Sequence, residues 1–302
     1  MRQTFTLGQS IADIQAAGLS LGQATQVFNA LEAPDTADTS GVIFKATGSY
    51  TPTDDLLFYG TFSQGFRPGF LNRPGGAVAA TGFTVPFEVE TDEVDNFELG
   101  WKTTLANNQL RFNGSAFFVD ISDLQTTIFD PSITNLFFNS NAADAEIFGL
   151  EADFVLAPEA FAGLTVSGAI SLLDTEVTDV LLTTDDVVEG SELAFAPTFQ
   201  GNLAARYEWD LNTEYGAHLQ ATAAYSSSQD TDIIEINRVT LDDWFILGAT
   251  AGITKDQWSA TLFIDNLTDS RAQTSGFFNQ DVQRNVLTRP RTIGARFSVD
   301  FE

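Results

Sequence analysis

An all-β fold is predicted, an antiparallel up-and-down barrel that crosses a membrane, and three observations predict it. From Gly41 onward apolar and polar residues alternate with a period of two. The alternating segments are long, near the ~9–11 residues that a tilted strand needs to cross a bilayer, where a soluble sandwich strand is typically ~5–6. Short connections with turn chemistry also alternate with long polar ones, as expected when tight turns lie at one membrane face and large loops at the other.

In chain order, residues 1–40 read as a loop segment with short helices ending before Pro34. Ser10-Ile11-Ala12-Asp13 and Ser20-Leu21-Gly22-Gln23 fit the capping-box pattern that satisfies free amides at a helix start. Residues 41–302 read as about a dozen strands, beginning near 41–51 and 56–66. The segment DLLFYGTFSQGFRPGF, residues 55–70, sets the pattern. Leu56, Phe58 and Phe62 fall on one side, for lipid; Tyr59, Thr61 and Ser63 fall on the other, for a lumen. Phe97, Leu99 and Trp101 continue the apolar row, followed by Phe112 to Phe118, then a strand near 123–140. Phe148 to Leu156, Leu164 to Leu172, Phe199 to Trp209 and Tyr215 to Tyr225 come next. Phe245 to Ile253, Trp258 to Ile264 and Ile293 to Phe301 complete the set.

Turns are expected at Thr51–Asp55, Ala106–Asn108, Asp210–Asn212 and Lys255–Asp256. Asp265–Asp269 reads as a turn closing the penultimate strand. Long loops fall at 68–92, 174–193, 226–241 and 267–288. Trp101, Tyr207, Trp209, Tyr215 and Trp258 at strand ends suit interfacial girdles. Consecutive same-side charges, such as Glu151 with Asp153 or Arg206 with Glu208, cannot line a dry core without a large desolvation cost. They suit a wet lumen.

Composition narrows the function. Lys plus Arg number 14 against 41 Asp plus Glu, a formal charge of -27 over 302 residues, which excludes a nucleic-acid partner. There is no Cys, which excludes thiolate metal sites, and a single His, His218, leaves little for a His cage or a catalytic triad. No catalytic residue, metal site or cofactor is expected. Phe numbers 27 beside 5 Tyr and 4 Trp, yet no run approaches the ~20 apolar residues of a spanning helix. Met1-Arg2-Gln3-Thr4-Phe5 is not followed by the apolar stretch of a secretory signal.

Seven stretches in order carry a family resemblance: YTPTDDLLFYGTFSQGFRPG, DEVDNFELGWKTTL, RFNGSAFFVDISDLQ, AEIFGLEADFVLAPEAFAGLTVSGAISLLDTEVTD, LAFAPTFQGNLAARYEW, LFIDNLTD and RPRTIGARFSVDF. From Gly41 to its end the chain resembles the C-terminal part of the barrel of TonB-dependent outer-membrane receptors. The resemblance implies a barrel of about 22 strands with a plugged lumen, this chain supplying roughly the last dozen. It implies active uptake of a scarce, bulky nutrient, most often an iron–siderophore chelate, with outer-membrane lipid around the barrel. It also implies TonB-complex coupling through a plug domain and recognition of Phe301 by the barrel-assembly machinery. No TonB box or plug is recognised ahead of Gly41, so a fragment, or a chain completed by an upstream one, is expected. Half a barrel has two open edges that lipid does not tolerate, so this polypeptide alone is expected not to insert as a functional monomer. A passive pore or export barrel and a truncated non-functional receptor are the alternatives.

The ligand-binding candidates are Arg67, Asn72 and Arg73, in GFRPGFLNRPGG at a strand–loop junction. Guanidinium forks there suit an anionic chelate; for Arg67 a tie to a neighbouring carboxylate or the plug is the favoured reading. Glu151 with Asp153 reads as lumen wall rather than an acid–base pair, and His218 as a lumen residue rather than a ligand. Asp185-Asp186 and Asp242-Asp243 read as solvated loops, lacking the ligand spacing of a Ca²⁺ site.

Overall fold

The computed structural model describes residues 10–20, 23–24, 27–28, 31, 34, 36–72, 75–77, 83–130, 136–182, 187–279 and 282–301. Helix α1 (Ile11–Ala16) opens with a reciprocal capping box: the Asp13 N–H donates to the Ser10 hydroxyl, and the Ser10 N–H donates to the Asp13 carboxylate. Ser20 and Gln23 repeat the exchange, the Ser20 N–H donating to the Gln23 side chain at 3.0 Å.

Eleven strands form one antiparallel sheet in strict chain order. They are β1 (Lys45–Thr53), β2 (Leu56–Arg67), β3 (Asp92–Leu105), β4 (Leu110–Asp130), β5 (Leu136–Leu156) and β6 (Leu164–Val180). After these come β7 (Phe199–Asp210), β8 (Gly216–Ser226), β9 (Trp244–Lys255), β10 (Trp258–Asp265) and β11 (Thr292–Val299). The sheet is a partial barrel, an open meander with β1 and β11 at its edges.

Three sequence-based boundaries need correction. The strand expected near 123–140 is the upper part of two 21-residue strands, β4 and β5, which run far past a bilayer's thickness. The first strand begins at Lys45, and Thr51 to Thr53 extend it, leaving only Asp54 and Asp55 for the turn. The loop expected from 174 begins after Val180.

Register sorts the side chains into two faces. Phe62, Phe97, Phe118 and Phe148 lie directly opposite one another across β2 to β5. Tyr59, Gly100, Ser115, Glu151, Ser171 and Gln200 form the parallel row on the other face, across β2 to β7. The apolar face is bare: Leu99 is 71% exposed, Leu262 66% and Ile293 75%. So large an apolar surface is incompatible with water and fits hydrocarbon. Aromatic contacts brace its short-turn edge: Trp101 lies against Phe112, Tyr207 against Trp209, and Trp258 against both Tyr215 and Phe297. On the polar face large rings lie over glycines of the next strand. A Cβ at Gly149 would come within 2.1 Å of the Phe117 ring, and one at Gly100 within 2.3 Å of Tyr59.

A buried apolar cluster forms in the long-loop layer. Ile128 and Phe138 of the β4–β5 hairpin and Val177 of β6 pack with Val85, Val187, Leu193, Ile233 and Ile234 from the loops. The loops thus carry their own core, built onto the long-loop end of the sheet.

Candidate functional site: the vestibule at the strand–loop junction

Where β2 meets the long-loop side, Arg67 faces Asp92, its register partner at the start of β3. Asp92 is fully buried, and it accepts from the Arg67 backbone N–H at 3.0 Å and from Nε at 2.6 Å, with Nη2 closing the ion pair. A bulge in β4, where Asp123 takes a φ of 58°, shifts the register after Ile121 and brings Gln125 into this pair. The Gln125 N–H donates to Asp92, its carbonyl accepts from Arg67, and its side-chain amide donates to the carbonyls of Pro68 and Glu90. One residue from each of three strands therefore locks the junction.

Asn72 fastens the next loop segment. It is 5% exposed; its amide donates to the carbonyls of Pro86 at 3.1 Å and Asn139 at 2.6 Å, and its Oδ1 accepts from the Asn139 N–H. Arg73 lies outside the described residues, as do Asp185 and Asp186. Asp242 and Asp243 are exposed.

Above this junction opens a cavity of about 570 Å³, lined by Arg67, Phe70, Gln125, Thr127, Asn139, Leu193, Thr231, Asp232 and Ile233. Its far wall is the loop between β8 and β9, held by Arg238, which donates to the carbonyls of Asp232 and Ile233 and pairs with Asp230 at 3.7 Å. Burial pushes the Asp232 carboxyl above its usual range, against the lowering effect of the Ile234 and Ile233 amides and of Arg238. The cavity thus offers amide and hydroxyl hydrogen bonding, apolar patches, and a guanidinium whose charge Asp92 already balances.

Below, a lumen-wall cavity of about 560 Å³ is lined by Tyr59, Lys102, Asn113, Ser115, Glu151, Asp153 and Asn202. The Tyr59 hydroxyl donates to Glu98 at 2.5 Å, and Asn113 donates to Asp153 at 3.1 Å. Glu151 accepts from Ser171 at 3.4 Å, so the two carboxylates of the Glu151–Asp153 pair have separate partners along the wall. His218 lies over Gly252 on the same face. Among the described residues no group of His, Cys, Asp and Glu is arranged to hold a metal ion.

Of the sequence candidates, Arg67 lines the vestibule, while Asn72 does not line it and instead holds the backbone of Asn139, which does. The structure adds Asp92, Gln125, Asn139 and Asp232, which sequence reasoning missed. A signal existed for Asp92, the first carboxylate of the strand antiparallel to β2.

Comparison with known proteins fits this geometry. The model for the TonB dependent receptor-like β-barrel matches residues 17–267. The pesticin receptor of Yersinia pestis is 24% identical over 266 residues, which cover 86% of this chain and 36% of that receptor. The chain therefore spans about a third of the length of the curated relatives it matches. Among solved structures, the ferric yersiniabactin uptake receptor FyuA from Yersinia pestis superposes with a TM-score of 0.67 at 18% identity, covering 85% of this chain and 37% of that one. BauA, the ferric preacinetobactin receptor from Acinetobacter baumannii, gives 0.61 at 20% identity, covering 85% and 36%. An outward apolar belt, a polar wall and a loop-lined vestibule on one meander, matched by this family over most of the chain, identify it as a member of the TonB-dependent receptor β-barrel family, in the outer membrane.

Proposed function

We propose that the chain supplies later barrel strands and loops of a receptor for active uptake of an iron–siderophore chelate, energised by TonB through a plug domain. Residues 41–302 form the barrel part and residues 1–40 a loop segment. The reading makes the protein a transporter and not an enzyme. Its main support is the vestibule cavity of about 570 Å³ on a barrel of this family, a volume suited to a bulky chelate. The receptors named for ferric yersiniabactin and ferric preacinetobactin share the fold, which supports the substrate class.

Arg67, Asn72 and Arg73 are the proposed ligand-side residues, with different duties. Asn72 and the Arg67–Asp92 pair shape the floor, and Arg73 offers a guanidinium to the chelate. Phe301, 91% exposed, is the proposed contact for the assembly machinery. The test is uptake of radioactive iron presented as a panel of chelates, in cells with and without TonB. TonB-dependent uptake of one chelate that fails in an Arg73→Gln variant supports the reading. TonB-independent leakage of many solutes points to a passive pore instead.

A further inference from the structure

Cations are scarce in this chain, yet residues 265–299 hold Arg271, Arg284, Arg289, Arg291 and Arg296 against three carboxylates, Asp265, Asp269 and Asp281. Three of these arginines flank the turn after β10. Asp269 stands 3.8 Å from both Arg271 and Arg291 and accepts the Arg291 N–H at 2.9 Å. Asn266 donates to the Arg289 carbonyl at 2.8 Å, so the Arg289-Pro290-Arg291 segment is pinned to the turn. One carboxylate thus faces two guanidiniums, and Arg289 makes no ion pair among the described residues.

Register fixes the height of this patch. Ile293 lies opposite Ile264 on the lipid-facing row, and Arg291 lies two residues further out, just beyond the last register pair, Asp265 with Thr292. Leu267 hydrogen-bonds the Leu247 carbonyl and Thr268 that of Phe245, so the turn is level with the end of β9's apolar row. Leu267, Phe245 and Ile293 are all exposed immediately beside the arginines. Guanidiniums directly above an apolar belt fit an amphipathic anion.

We propose that Arg271, Arg289 and Arg291 form a docking site for the phosphorylated headgroup of a lipid in the surrounding leaflet. Guanidinium forks match phosphate oxygens in two-point geometry, and the acyl chains run down past Ile293 and Leu267. The protein's overall charge of -27 repels an anionic surface, so attraction has to come from a local excess of arginines such as this one.

The test uses the chain within its barrel in dodecyl maltoside, with binding of dimyristoyl phosphatidic acid and dimyristoyl phosphatidylcholine measured by native mass spectrometry. The phosphatidic acid is expected to bind at least about tenfold more tightly, a preference that Arg271→Gln/Arg289→Gln/Arg291→Gln abolishes and that 10 mM inorganic phosphate leaves in place. Asp269→Asn keeps the Oδ1 acceptor for the Arg291 N–H while removing the charge that pairs both guanidiniums, leaving Arg291 only its bond to the Leu267 carbonyl, and is expected to tighten phosphatidic acid binding severalfold. A preserved preference in the triple variant, weaker or unchanged binding in Asp269→Asn, or displacement by inorganic phosphate overturns the proposal. The last result would mark a free-anion site.

Discussion

Leu203 and Asn202 are neighbours on β7 with opposite exposures in the membrane, and a charge placed at each separates lipid from lumen. Leu203 lies four residues from Phe199 and four from Tyr207, which begins the aromatic pair with Trp209 at the far end of its outward row. At about 3.3 Å per residue and a tilt of about 40°, that puts it ~10 Å from either residue, near the middle of an apolar band ~25 Å tall. Its side chain packs beside Gly168 and Ala223, which offer no polar partner, and it is 47% exposed to what lies outside. Leu203→Arg is therefore expected to cost about 2–4 kcal/mol of insertion stability. Asn202→Arg, pointing into the lumen opposite Ala169 and Ala224, is expected to cost under ~1 kcal/mol. Both are installed in a barrel closed by additional strands and refolded into phosphatidylcholine vesicles. Guanidinium titration followed by tryptophan fluorescence gives the free energies. Equal costs, or a greater cost for Asn202→Arg, would refute the assignment of faces.

The Arg67–Asp92 pair predicts an asymmetry. Asp92's side chain is 1% exposed and Arg67's 56%, so Arg67→Met strands a buried carboxylate and costs up to about 3 kcal/mol, whereas Asp92→Asn releases a half-solvated guanidinium and costs about 1 kcal/mol; denaturant midpoints of the two variants check the order. Gly149→Ala drives a methyl into the Phe117 ring and is expected to cost about 1–3 kcal/mol, much of it recovered by a second change, Phe117→Leu, in a double-mutant cycle. Because burial raises the Asp232 carboxyl, the folded loop holds that proton more tightly than the unfolded chain. Loop stability is then greatest below the ordinary carboxylate range and falls as pH rises through the raised value. Hydrogen exchange at Ile234, corrected for intrinsic rate, should show this fall and its absence in Asp232→Asn; a flat profile in the parent chain counts against it.

The barrel was readable because lipid and lumen impose a period of two on every strand, with few exceptions between Leu56 and Phe297. The turn at Asp265–Asp269 was readable too, since Asn266 and Asp269 adopt the positive φ that their side chains tolerate. The 123–140 region departs from the period-two pattern for a physical reason. Above the bilayer, β4 and β5 leave the two-solvent environment and pack against loops, so Ile128 and Phe138 obey a core's demands rather than the lipid's. The vestibule was half legible. GFRPGF marked Arg67 as unusual, but its partners Asp92 and Gln125 lie 25 and 58 residues away, and only strand register with the β4 bulge brings them together.

The most direct test exploits a chain without cysteine. Single cysteines placed in turn from Phe199 to Glu208, spin-labelled in a bilayer-embedded barrel, report accessibility to oxygen and to a water-soluble nickel chelate. Strict alternation is expected, with oxygen favoured at 199, 201, 203, 205 and 207 and the nickel chelate at 200, 202, 204, 206 and 208. Uniform accessibility, or protection of the phenylalanine-bearing side from both reagents as in a dry protein core, would contradict it.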